Sequence, residues 1–142
     1  MDIRPLDDAS SVAPQLDPQD LAALAADGVT TIICNRPDAE VPPSHQAAAM
    51  QAAAEAAGLA FVFNPVSMPN LTLEAIEEQA DAIQTAEGRV VAYCASGTRS
   101  AILWAMASAG RMPVDDILAA LRGAGYNLDG MRPQLVAMEA RA

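Results

Sequence analysis

The stretch that decides the fold reads Arg89-Val90-Val91-Ala92-Tyr93-Cys94-Ala95-Ser96-Gly97-Thr98-Arg99-Ser100. The short apolar run that ends at Tyr93 is typical of a strand, and the small residues after Cys94 are typical of a tight turn. The residues from Ala101 to Ala109 follow a helical pattern. The stretch therefore predicts a strand, a loop and the start of a helix.

The loop predicts an anion-binding site around a nucleophilic cysteine. Backbone N–H groups in such a turn point inward, and a helix N-terminus carries partial positive charge. The N–H groups and the helix N-terminus both favour the thiolate, which is the reactive form of Cys94. The guanidinium of Arg99 also favours the thiolate, and it can hold two oxygens of an anion. We expect the cradle to consist of Ala95, Ser96, Gly97 and Thr98, with Ser100 donating a hydrogen bond to the sulfur. The alternative is a buried, inert cysteine in ordinary turn chemistry.

The remaining chain alternates strands with helices. Two further β-branched or apolar runs, at 29–34 and 59–63, predict strands that are buried on both faces. Helical patterns precede, separate and follow them, at about 18–27, 44–57, 72–86, 100–109, 114–122 and 129–140. This alternation predicts an α/β fold in which a parallel sheet carries helices on both faces. The loops that follow its strands then meet at one edge of the sheet.

Length and composition limit the possible functions. The chain has 142 residues, of which 52% are hydrophobic, and this predicts one domain over residues 1–142. A formal net charge of −10 argues against nucleic acid or an anionic membrane as a partner. No apolar signal core follows Met1, so we expect a cytoplasmic protein with reduced thiols. We expect no cofactor and no metal, because His45 is the only histidine and has no nearby Cys.

The spacing within the loop resembles that of a known enzyme class. Four residues separate Cys94 from Arg99, and the loop is similar to the active-site loop of rhodanese sulfurtransferases, which often reads Cys-Arg-Ser-Gly-x-Arg-Ser. Cysteine phosphatases place five residues there, usually after a His, where this chain has Tyr93. Ala95 replaces the first Arg of the rhodanese pattern, which weakens the case for a strongly anionic donor such as thiosulfate.

A wider resemblance covers Ile3 to about Ala109. The segments 21–40, 61–66 and 93–100 resemble the beta-lactamase hydrolase-like, phosphatase-like domain family. The resemblance implies a fold like that of the dual-specificity phosphatases, and members have been described both as phosphatase-like hydrolases and as sulfur transferases. The match at residues 35–38 also implies that Arg36 and Asp38 border the pocket. From the residues alone, Arg36 either contacts the anion or pairs with Asp38 or Glu40.

Three hypotheses for the function follow. In the first, Cys94 takes a sulfane sulfur as a persulfide and passes it to an acceptor thiol or cyanide. In the second, Cys94 attacks phosphorus, and a carboxylic acid protonates the leaving group. The loop at 64–71 lacks an Asp or Glu for this step, and Asp38 or Glu74 would have to substitute. In the third, the protein is a redox sensor in which Cys34 resolves an oxidised Cys94; alternatively, Cys34 is a core residue.

Overall fold

The computed structural model describes residues 1–142 and is built on a five-stranded sheet. The strands are β1 (Arg4–Pro5), β2 (Ser10–Ala13), β3 (Val29–Cys34), β4 (Ala60–Phe63) and β5 (Arg89–Tyr93). Their order across the sheet is β1-β2-β5-β3-β4. Strands β3, β4 and β5 are parallel, as predicted. Strand β2 joins them as a fourth parallel strand beside β5, whereas β1 runs antiparallel to β2. The antiparallel strand arises from a tight turn in which the Asp7 carboxylate accepts hydrogen bonds from the N–H groups of Ala9 and Ser10.

Helices cover both faces of the sheet, which confirms the predicted α/β class. They are α1 (Asp20–Ala26), α2 (Ala47–Ala56), α3 (Leu73–Thr85), α4 (Thr98–Ser108), α5 (Val114–Gly123) and α6 (Arg132–Arg141). On one face, Leu21 of α1 and Met50 of α2 pack against Ile32. On the other face, the larger core cluster includes Trp104 of α4 and Ile33. Helices α5 and α6 pack against α4.

Two elements differ from the sequence-based expectation. Helix α2 begins at Ala47 instead of residue 44, because Pro43–His45 forms a separate 3-10 turn. Strand β4 was expected to be buried on both faces, but it is an edge strand, and Phe63 is 41% exposed. A run of apolar residues does not reveal whether a strand lies at the edge or in the centre of a sheet.

Helix α3 buries part of the predicted inner face, including Ile76, with Ile83 partly buried against the core, but the buried face is shifted. The pattern indicates an inner face of Leu73, Ile76, Ala80 and Ile83. The buried residues are Ile76, Gln79 and Ala82, and Leu73 is exposed. A glutamine therefore occupies a core position. Its hydrogen-bond partners are Asn35 and Asn64, which directly follow β3 and β4.

The register of the sheet brings three loops together. Cys34 pairs with Phe63 on one side and with Tyr93 on the other, so β3, β4 and β5 end at the same level. The loops that begin at residues 35, 64 and 94 therefore leave the sheet at one edge, as predicted. No helix is long and apolar enough to cross a membrane.

Candidate active site

The loop from Cys94 to Arg99 connects the end of β5 with the start of α4. Gly97 is the residue before the helix, and its φ of 91° lies in the left-handed region that favours glycine. Its N–H donates a hydrogen bond to Cys94 Sγ over 3.1 Å. The cysteine is buried and lies inside the turn. The predicted strand, loop and helix are therefore present, with the sulfur inside the loop.

Several backbone N–H groups of the loop and of the first turn of α4 are free. The N–H groups of Ala95, Ser96, Arg99 and Ser100 donate to no acceptor within the protein. The last two belong to the first turn of α4, where N–H groups lack helical partners. Free N–H donors at a helix N-terminus form a site suited to an anion.

The outer side of the loop is held by other segments. The carbonyl of Ala95 accepts a hydrogen bond from the Gln15 N–H over 3.2 Å. The carbonyl of Ser96 accepts one from the Tyr126 hydroxyl over 3.1 Å. The Ser96 hydroxyl also donates to Thr98 Oγ1 over 3.0 Å. These bonds turn the two carbonyl groups outward and leave the interior to the N–H donors.

Arg99 closes the loop, but its side chain is already occupied. Nη1 donates to Glu40 Oε2 over 2.9 Å and to the carbonyl of Val66 over 2.9 Å, and Nη2 donates to Glu40 Oε1 over 2.8 Å. The pKa of Arg99 is raised above its usual value, first by the hydrogen bond to Glu40 and further by the nearby Cys94. Arg99 was expected to bind two oxygens of a substrate anion, and in the structure it binds the two carboxylate oxygens of Glu40 instead.

The prediction that Ser100 donates to the sulfur is wrong. Its hydroxyl is buried and donates to Asn35 Oδ1 over 2.8 Å, because the side chain points from α4 toward the end of β3. Asn35 Nδ2 donates in turn to Gln79 Oε1 and to the carbonyl of Asn64, both over 2.9 Å. Asn64 Nδ2 also donates to Gln79 Oε1, over 3.0 Å. These four residues form a buried polar network that joins the first turn of α4 to β3, β4 and α3.

The two predicted rim residues have different surroundings. Arg36 Nε donates to Glu40 Oε1 over 3.1 Å, so of the readings left open for Arg36, pairing with Glu40 is the one observed. Asp38 Oδ1 accepts a hydrogen bond from the N–H of Ala47 over 2.7 Å, at the first residue of α2. Asp38 therefore satisfies a helix N-terminus, as acidic and amide side chains commonly do.

Cys34 lies in the apolar cluster beneath α1 and α2, next to Tyr93 in the sheet register. Burial raises the pKa of its thiol, and its Sγ lies 3.4 Å from the carbonyl of Arg36. Burial also raises the pKa of Tyr93. These surroundings disfavour a reactive Cys34 thiolate and give the redox-sensor hypothesis no support.

The sequence did not predict the contacts that three residues make at the site, namely Glu40, Asn35 and Gln79. Glu40 lies four residues after Arg36 and 59 before Arg99, so only its pairing with Arg36 had a local signal. Gln79 follows Ile76 by three residues, a spacing that places the two side chains on one face of a helix. A cavity of about 480 Å³, lined by Val29, Gly58 and Ala86 among others, lies at the opposite end of β3 and is separate from this site.

The fold and the loop together define a cysteine-phosphatase-like α/β protein. Over 97% of this chain, the structure is similar to that of a candidate phosphatase from Neisseria meningitidis Z2491, with a TM-score of 0.83 and 36% identity over 99% of that chain. It is also similar to Tk-PTP in its active form, with a TM-score of 0.79, 16% identity, and coverage of 99% of this chain and 98% of the other.

The family is defined by the sequence itself. Residues 2–111 match the phosphatase-like domain of the beta-lactamase hydrolase-like proteins, and the chain belongs to this family. The beta-lactamase hydrolase-like protein of Xylella fastidiosa (strain Temecula1) is 35% identical over 130 residues, which are 90% of this chain and 30% of that protein. The chain thus spans about 30% of the length of this relative. The resemblance stated from the sequence is confirmed.

Proposed function

We propose that the protein is a cysteine-dependent sulfurtransferase in which Cys94 carries the transferred sulfur as a persulfide. The observation that supports the proposal is that Cys94 is buried in a loop whose N–H groups lack internal acceptors, while the segment after β4 contains no Asp or Glu. Sulfur transfer needs the Cys94 nucleophile and the N–H hydrogen-bond donors of the loop, but it needs no general acid. Sulfur transfer therefore requires no residue that the site lacks, whereas hydrolysis of an alkyl phosphate requires a general acid.

The reaction follows from the loop in two steps. The Cys94 thiolate attacks the sulfane sulfur of a donor, a new S–S bond forms, and the donor's own sulfur bond breaks with its electron pair leaving on a thiolate or sulfite. The free N–H groups of Ala95 and Ser96 stabilise the bound persulfide by hydrogen bonding. An acceptor thiolate then attacks the outer sulfur, which leaves as the acceptor's persulfide and returns Cys94 to its thiolate.

The carboxylates near the site already have other partners. The segment after β4, residues 64–71, contains no Asp or Glu. Asp38 is held at the start of α2. Hydrogen bonds from Arg99 and Arg36 hold the pKa of Glu40 below its usual value, so its carboxylate is ionised at neutral pH. Thiolate and sulfite leave without a proton, whereas an alkoxide released from a phosphate ester needs one.

Hydrolysis of phosphate esters is the second candidate, and the comparisons favour it over sulfur transfer. The structurally similar protein from Neisseria meningitidis, which is 36% identical to this chain, is a candidate phosphatase. In this reaction Cys94 attacks phosphorus, Arg99 binds the equatorial oxygens, and water hydrolyses the phosphocysteine. Because no acid is placed at the leaving group, aryl phosphates would react much faster than alkyl phosphates.

A paired assay tests both candidates. We expect the purified protein to gain the mass of one sulfur atom on Cys94 after incubation with glutathione persulfide, because the loop stabilises the persulfide. Cys94→Ser should abolish the gain, and Cys34→Ser, the matched control for a buried thiol, should retain it. Intact-protein and peptide mass spectrometry measure the gain. Hydrolysis of p-nitrophenyl phosphate that depends on Cys94, without any sulfur gain, would instead support the second candidate.

A further inference from the structure

The Glu40 carboxylate lies between two guanidinium groups. Both of its oxygens accept hydrogen bonds from Arg99, over 2.9 and 2.8 Å, and Oε1 accepts another from Arg36 Nε over 3.1 Å. The Arg99 side chain is largely buried, with 15% exposed, whereas Glu40 lies at the surface with 35% of its side chain exposed. This paired geometry is the one by which arginine binds carboxylates and phosphates.

Glu40 therefore competes with any anion for Arg99. Nη1 of Arg99 is shared between Glu40 and the carbonyl of Val66, and Nη2 is bound to Glu40. An incoming oxyanion that needs this guanidinium must first displace the carboxylate. A ligand that binds only the free N–H groups of the loop does not have to do so.

The charge balance at the loop also favours ligands that do not need the Arg99 guanidinium. The two guanidiniums carry two positive charges, which the Glu40 carboxylate and the Cys94 thiolate together offset. A doubly charged anion such as a phosphate monoester, sulfate or thiosulfate would therefore meet no net positive charge at the loop, within a chain of formal net charge −10. A persulfide, with at most one negative charge on its reacting sulfur, suits this field better.

We infer that Glu40 is a specificity-determining residue that excludes doubly charged oxyanions and reserves the loop for organic persulfides. The inference rests on the proposed role of the Cys94 loop in binding the substrate, and it narrows the donor to a persulfide carried on a thiol. Arg36 keeps its hydrogen bond to Gln15 Oε1, over 3.2 Å, and thereby stays at the rim. Glu40 acts by holding Arg99 and does not touch the reacting sulfur.

The test measures anion binding without turnover. Inorganic sulfate is titrated against the rate at which iodoacetamide alkylates Cys94, in the Cys34→Ser background, and the protection constant is read by mass spectrometry. We expect Glu40→Gln to bind sulfate at least fivefold more tightly than the parent protein. Glu77→Gln, which removes the same charge from the exposed surface of α3, should change the constant less than twofold.

A second variant and a second readout make the outcome unambiguous. Glu40→Ala removes the amide oxygen through which glutamine could still hold Arg99, and thermal unfolding shows whether each variant is folded. Sulfate binding that is unchanged or weaker in both folded variants would overturn the inference. Because the protection assay needs no sulfur transfer, this result differs from a failure of the proposed function, in which Cys94 gains no sulfur. If sulfur transfer occurs, loading from thiosulfate should rise at least fivefold in Glu40→Gln, while loading from glutathione persulfide should stay within twofold.

Discussion

Replacing Gly97 with alanine is expected to remove nearly all Cys94-dependent chemistry and to lower the free energy of unfolding by about 2–4 kcal/mol. The φ of 91° is unfavourable for any residue with a Cβ, and the added atom would collide with the Tyr126 hydroxyl and meet the backbone of Ala13 at 3.4 Å. To relieve these contacts the loop must move, and its N–H donors then no longer surround the sulfur. Urea unfolding and the rate of sulfur loading measure the two effects.

Gly58→Ala provides a matched control for this prediction. Gly58 has a similar φ of 80°, but a Cβ there meets nothing within 4 Å. Gly58→Ala should therefore lower the free energy of unfolding only by the backbone strain, about 1–2 kcal/mol, and Cys94 should load sulfur at the normal rate. Combining Gly97→Ala with Tyr126→Phe should recover part of the lost stability, since the hydroxyl is removed. Equal losses of stability for the two glycine variants would show that the contact with Tyr126 does not restrain the loop.

The second large effect is expected for Gln79→Leu, which should lower the free energy of unfolding by about 3 kcal/mol. Leucine fits a space of similar size, but it removes one of the two acceptors of Asn35 Nδ2 and of Asn64 Nδ2, and it also removes the Gln79 Nε2 donor to Asn35 Oδ1. Both asparagines are buried and keep only their bonds to the carbonyls of Asn64 and Ala75, so one N–H of each amide loses its hydration without gaining an acceptor. Because Asn35 also accepts the Ser100 hydroxyl, we expect the sulfur-loading rate to fall as well.

Gln84→Leu is the matched control, since Gln84 lies on the exposed side of the same helix. Its effect on the free energy of unfolding should stay within about 0.5 kcal/mol, as for most surface substitutions. Chemical denaturation at equal protein concentration compares the two variants. A Gln79 variant as stable as the Gln84 variant would mean that the network tolerates the lost acceptor, for example through water.

The parts of the fold that follow local rules could be predicted from the sequence. The run ending at Tyr93, the glycine turn and the helix after it lie within twelve residues, and their order specifies a strand, loop and helix. The first helix is predicted at about residues 18–27, and the structure has it at Asp20–Ala26. Alternation of strands and helices likewise leaves few topologies other than a mostly parallel sheet.

The contacts that depend on distant residues could not be predicted. Nothing near Glu40 in the sequence indicates that its carboxylate binds a guanidinium 59 residues away. Gln79 breaks the apolar pattern of α3, and polar residues are normally assigned to the solvent side. The same difficulty affected Ser100, whose partner, Asn35, precedes it by 65 residues. Each case requires knowledge of which loops meet at the edge of the sheet.

The hydrogen bond from Tyr126 to Ser96 has a consequence for where the protein can be trimmed. The match to the family model ends at residue 111, yet Tyr126 lies 15 residues further along, and Leu118, Leu121 and Leu135 belong to the same core as the sheet. A boundary drawn at the end of that match would discard the segment against which the cysteine turn rests. The unit that must be expressed for biochemistry is therefore longer than the unit that the family model matches.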